Sequence, residues 1–115
     1  MQNPIYHMCR RDEWQAACAA GRYEGSSQDR ADGFIHFSDK HQIVQSAKRH
    51  RAGQDDLVLI EIDADALGAA LKWEASRGGA LFPHLYGPLD PATVARTAAL
   101  VLDADGRHVF PWDLA

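Results

Sequence analysis

The sequence predicts an α+β fold: a mixed or mostly antiparallel sheet with two helices. Three observations carry this expectation. Two segments with apolar residues at helical spacing lie early in the chain, and runs of alternating polarity dominate its second half. Asp103-Ala104-Asp105-Gly106 has the composition of a hairpin turn, so the last strand folds back on itself. At 115 residues, with no repeat, low-complexity segment or linker, the chain reads as one domain, 1–115.

Ile5 to Cys9 forms the first expected strand, with Ile5, His7 and Cys9 on one face and Tyr6 and Met8 on the other. Asp12 and Glu13 open a helix whose Trp14, Ala17 and Cys18 share a side, and Gly21 fits its C-terminal cap. Residues 22–32 are polar and rich in Gly, Ser and Asp, which predicts a loop long enough to be a lid. Phe34 to Ser38 is the second strand, placing Phe34, His36 and Ser38 on one face. Asp39 followed by Gln42 is a capping-box pattern that opens the second helix. Its buried stripe is Ile43, Val44 and Ala47, and Gly53 stops it. Lys48-Arg49-His50-Arg51 falls in its last turns, where positive charge suits the helix dipole; a phosphate-binding role is the alternative.

Leu57 to Asp63 is the clearest strand, with Val58, Ile60 and Ile62 opposed to Leu57, Leu59 and Glu61. Glu61 is expected at its exposed margin, a site role being the alternative. Residues 63–69 suit a helical turn capped by Asp63 or Asp65. Leu71 to Glu74 is a short strand that sends Trp73 into the core and Glu74 away from it, and Ser76 to Gly79 is a mobile loop. Phe82 to Tyr86 is a strand or extended edge beside Pro83 and Pro88. Val94 to Leu102 is a long final strand after a Pro91-led turn, and the hairpin returns through His108 to Phe110. His41, His50 and His108 are expected to face solvent.

Composition narrows the function classes. With 12 Lys+Arg against 16 Asp+Glu the net charge is −4, which argues against non-specific nucleic-acid binding. Cys9 and Cys18 make neither a disulfide scaffold nor a zinc site and read as small free thiols. Met1-Gln2-Asn3-Pro4 lacks the basic and apolar regions of a signal peptide, and no run approaches the ~18 apolar residues of a membrane helix. A cytoplasmic protein without membrane contact is expected, monomeric or weakly dimeric.

Chemistry concentrates in three histidines set mid-strand: His7, His36 and His84. A buried polar ring is costly unless hydrogen-bonded, so three such rings suggest a shared pocket for a small-molecule ligand. Ser38 shares His36's face, just ahead of a helix N-terminus whose N–H groups can receive an anion. Tyr86, on His84's side, can stack on a ligand ring or bond through its hydroxyl. Three histidines suffice for a catalytic metal, but no H-x-H or H-E-x-x-H spacing is present. Ser38 also lacks the G-x-S-x-G elbow of a serine hydrolase.

Taken together, Ile5-Tyr6-His7, Gly33-Phe34-Ile35-His36-Phe37-Ser38, Gly53-Gln54-Asp55-Asp56-Leu57 and Phe82-Pro83-His84-Leu85-Tyr86-Gly87-Pro88-Leu89 resemble the bacterial domain-of-unknown-function family 952, from about residue 4 to 107. The resemblance implies a relation to the ADP-ribosyltransferase-like fold, whose NAD site lies in a cleft between two sheet halves. By that likeness His7 is the first-strand residue holding ribose, and His36 with Ser38 is the second-strand element. The third position falls to Glu74 or His84. The expectation is a pocket for NAD or another ADP-ribosyl or nucleotide ligand, bound by His7, His36, Ser38 and Tyr86. Transfer or hydrolysis would rest on His7, His36, Glu74 and His84. Two alternatives stand beside it: a non-enzymatic ligand- or protein-binding module with structural histidines, and a His-ligated metal site.

Overall fold

In a computed structural model describing residues 3–112 and 114, apart from the Arg77 side chain, the Leu57–Asp63 strand lies at the centre of the fold. Met1 and Gln2, where a leader would begin, lie outside these residues. The central strand is β4 (Leu57–Asp63). It pairs antiparallel with β1 (Pro4–Arg10) on one side and β7 (Arg96–Leu102) on the other. Two short strands, β3 (Ser38–Asp39) and β8 (His108–Val109), complete a sheet of order β3-β1-β4-β7-β8. A second sheet has the order β2-β6-β5, from β2 (Ile35–His36), β5 (Leu71–Ala75) and β6 (Leu81–Leu85). Every pairing is antiparallel.

Period-two alternation sends β4 into two cores. Val58, Ile60 and Ile62 join Ile5 and Cys9 against helix α1 (Arg11–Ala20) and the inner face of the small sheet, through Trp14, Ala17, Ile35 and Leu85. Leu57 and Leu59 join Tyr6 and Met8 on the opposite face, where helix α3 (Ile43–His50) packs through Ile43 and Ala47. Gly21 ends α1 in the left-handed conformation (φ 74°) and donates to Ala17 and Cys18, as its position predicts. Asp39 and Gln42 do exchange bonds: Gln42 N–H donates to Asp39 Oδ1 (2.9 Å) and Asp39 N–H to Gln42 Oε1 (3.0 Å). The regular helix nevertheless begins only at Ile43, with Gln42 and not Asp39 at its N-cap, so the Asp39–Gln42 bonds close the turn ahead of the helix. No described helix is long and apolar enough to cross a membrane.

The structure corrects several expectations. Residues 22–32 are not a loop: Ser27–Asp32 form helix α2, so the α-helices number three among the described residues. Tyr23, ahead of it, is buried and bridges to Leu89. The stretch from Phe34 to Ser38 is two strands in two sheets, joined at buried Phe37, whose N–H donates to the Pro83 carbonyl (2.9 Å). In a strand the N and C=O of one residue point the same way. Pro83's missing donor therefore falls where β2 leaves the ladder, and no bond is lost. Trp73 is 39% exposed because its half of β5 overhangs the core, and Val44 and Cys18 are exposed at the edges of their helices' buried faces. Glu61 is buried, not marginal: it accepts from the Tyr6 hydroxyl (2.7 Å) and from Arg96 through both oxygens (2.8 and 3.1 Å). His108 is half-buried, its Nε2 donating to the Gln54 carbonyl (2.7 Å).

Candidate functional site

The outer face of the small sheet collects most of the chain's candidate residues. Register sets His36 opposite His84, His84 opposite Lys72, and Glu74 opposite Phe82. Phe34 and Tyr86, two residues along from His36 and His84, fall on the same face. The alternate residues Ile35, Pro83 and Leu85 face the core. One sheet thus presents apolar residues inward and a histidine–aromatic–carboxylate surface outward.

His84, 7% exposed beneath its aromatic neighbours, is the focus of that face. Its ring stacks on Phe34 (centroids 4.1 Å, 24° between planes) and meets His36 edge-on at 5.5 Å. Nδ1 donates to Glu74 Oε1 (2.8 Å), and the Tyr86 hydroxyl donates to the same oxygen (2.7 Å). These two donors hold the Glu74 carboxyl below its usual range, the Tyr86 hydroxyl contributing most. Tyr86 is correspondingly raised by its bond to Glu74. A carboxylate can only accept, so Nδ1 is the donor to Glu74, and Nε2 has no hydrogen-bond partner among the described residues. The sequence left the third position open between Glu74 and His84. They form one hydrogen-bonded pair.

His36 is held from beneath by α2. Its Nδ1 lies 2.6 Å from Asp29 Oδ1 and its Nε2 3.0 Å from Asp32 Oδ2, while its backbone N–H also donates to Asp29 (3.1 Å). Asp29 is itself buried at the N-terminus of α2 in a capping box. Its N–H donates to Ser26 Oγ (3.3 Å), and its Oδ2 accepts from Ser26 N–H (2.8 Å). Burial alone would raise this carboxyl. The bond from His36 and the backbone N–H groups of Ser26 and His36 overcome that and bring it down to about 2.

His7 stands behind the site rather than in it. It is 4% exposed. A carbonyl can only accept, so Nδ1–H donates to His36 O (2.6 Å), and Nε2 accepts from the Tyr23 hydroxyl (2.6 Å). Burial pushes its pKa down, so the ring is neutral with both nitrogens used. Ser38 is farther removed. It belongs to the large sheet, where its Oγ shares a hydrogen bond with Ser46 (2.8 Å). The pairing of His36 with Ser38 on one face is therefore corrected, because the chain changes sheets between them. Among the described residues no group of three His, Cys, Asp or Glu is arranged to hold a metal. The proposed three-histidine ligand set is broken in particular by His7, which has no free nitrogen.

Asp29, Asp32 and Tyr23 were not anticipated. One signal was present for the first: Ser26-x-x-Asp29 is a capping signature inside a stretch whose composition reads as loop. Beside Phe34 a cleft of about 190 Å³ opens between α2 and Gly87-Pro88, with Glu24 and Arg30 in its lining.

A family model described as "Protein of unknown function (DUF952)" matches residues 8–97. The crystal structure of protein CC0527 from Caulobacter crescentus is similar at 54% identity and TM-score 0.89, over 92% of this chain and 93% of that one. Its solution NMR structure gives 55% identity and TM-score 0.82, over 90% of each chain. No curated protein matches.

Proposed function

Since the chain belongs to the DUF952 family, whose description gives no activity, we propose from its own site that it binds NAD or a related ADP-ribosyl or nucleotide compound on the outer face of the small sheet. There it transfers or hydrolyses that compound by acid–base chemistry at His84. The observation that carries this reading is His84 Nε2, which has no hydrogen-bond partner among the described residues. Of the three strand histidines, only this one combines an oriented ring, a carboxylate at one nitrogen and an open second nitrogen. Glu74, held ionised, fixes the tautomer and is in place to stabilise the imidazolium formed when Nε2 takes a proton.

The surroundings suit a nucleotide. Tyr86 is 40% exposed and offers ring surface for stacking, with the Lys72 ammonium 5.2 Å from its centroid. Arg30, in the cleft on the far side of Phe34, is a second cation within the same region, so a diphosphate could be met from two sides.

Calorimetric titration with NAD and with ADP-ribose tests it. Micromolar-to-millimolar binding is expected, weakened at least tenfold in His84→Gln and Glu74→Gln. No heat at millimolar ligand with the protein folded overturns the reading. Unchanged affinity in folded His84→Gln protein removes His84 from the site.

A further inference from the structure

The basic end of α3 faces a second cavity that shares no lining residue with the His84 site. It measures about 520 Å³ and lies between α3, the Ala52-Gly53 turn and the β7–β8 hairpin. That volume is within the range of small-molecule sites, roughly 300–1,000 Å³. Val44, Ala47 and Phe110 supply apolar surface, and Lys48 and Arg107 bring cations from opposite walls. Neither cation forms an ion pair with a described carboxylate. Asp105 is the acidic lining residue, and the nearby Asp103 carboxylate is occupied by the N–H groups of Asp105 and Arg107.

The walls are tied in place. Ala47 and Ile43 anchor α3 in the core, and the His108–Gln54 bond fastens the hairpin to the segment that follows α3. Val44, Lys48 and Arg107 all line it and are exposed, so apolar surface accompanies the two cations where a solvated helix end would expose charge alone. We infer that this cavity is a binding site for a small amphiphile with one anionic head and an apolar body. The head lies between Lys48 and Arg107, and the body lies against Val44, Ala47 and Phe110.

Amide-resolved NMR titration with sodium octanoate, octyl phosphate and 1-octanol tests the inference on the intact chain. Octanoate or octyl phosphate is expected to shift amides of Val44, Lys48, Gly53, Gly106 and Arg107. The tighter of the two identifies the preferred head, and octanol should bind at least tenfold more weakly. Both cations are exposed, so Lys48→Ala and Arg107→Ala should fold normally, and together they should weaken the anionic probe tenfold or more. Shifts absent from this region, equal affinity for octanol, or undiminished binding in the folded double variant would each overturn it.

Discussion

The three strand histidines look alike in sequence and are used in three ways. His7 is a buried connector, neutral, with both nitrogens bonded. His36 is clamped between two carboxylates, and His84 is oriented by one carboxylate with its other nitrogen open. Removing His7 therefore acts on stability. His7→Phe keeps the ring volume but strands the His36 carbonyl and leaves the Tyr23 hydroxyl with Cys9 as its partner, a lost buried bond costing about 1–3 kcal/mol. Urea unfolding should show a loss of about 1–3 kcal/mol against wild type. A loss below about 0.5 kcal/mol, the range of an ordinary surface change, would mean that the His7 bonds hold nothing. Cys9, buried on His7's face, is inert by the same logic: burial pushes its thiol up to about 12, far from a reactive thiolate.

Helix α2 is the element that converts an unremarkable surface into a site, because its first turn carries Asp29 and its last carries Asp32. It has six residues, too few to be stable alone, so its cap and its contact with His36 decide whether it forms. Ser26→Ala should cost about 1 kcal/mol through the lost cap. Gly25→Ala should be worse. Gly25 has φ +95°, and an added Cβ would sit 2.6 Å from the Asp29 Cβ, a buried side chain that cannot retreat without releasing His36. Strain and overpacking together predict a loss of about 2 kcal/mol or more, accompanied by shifted His36 ring resonances. Normal stability with unmoved His36 signals would show that α2 does not hold the ring. The same element explains where sequence reading stopped. β4 and α3 announce themselves by periodicity because they bury one or both faces, whereas α2 buries Asp29 alone among its residues and shows no apolar period. The histidine–tyrosine alternation at 84 and 86 was legible because a strand's period is two. The break between His36 and Ser38 was not, because five residues of unbroken strand composition conceal a change of sheet.

At the scale of the molecule, His7 and Asp29 shape the acid limb of stability in the same direction. His7 is neutral in the fold and its pKa is lowered from 6.5, so below that pH the unfolded chain takes up a proton the folded chain refuses. Asp29 falls from 3.8 to about 2, so between those values the unfolded chain again binds the extra proton. Stability from both groups is present above their unfolded pKa values and is lost as pH falls through the folded ones. For Asp29 the loss is about 2 kcal/mol, completed near pH 2. Cys9, raised from 9.0, and Tyr6 and Tyr23, raised from 10.0, act in the opposite sense. Their contribution is complete below pH 9 and declines above it. A plateau of stability between about pH 6.5 and 9 follows, with shoulders on both sides. Urea midpoints should be level from pH 7 to 8.5 and decline steadily from pH 6.5 to 4. In His7→Phe the decline between pH 6.5 and 5 should flatten, because the contribution of His7 is gone, while the fall below pH 4 persists with Asp29. Equal slopes in the two proteins from pH 6.5 to 5 would show that His7 is not held neutral by the fold. In that case the link from α2 through His36 to the first strand would be electrostatically idle.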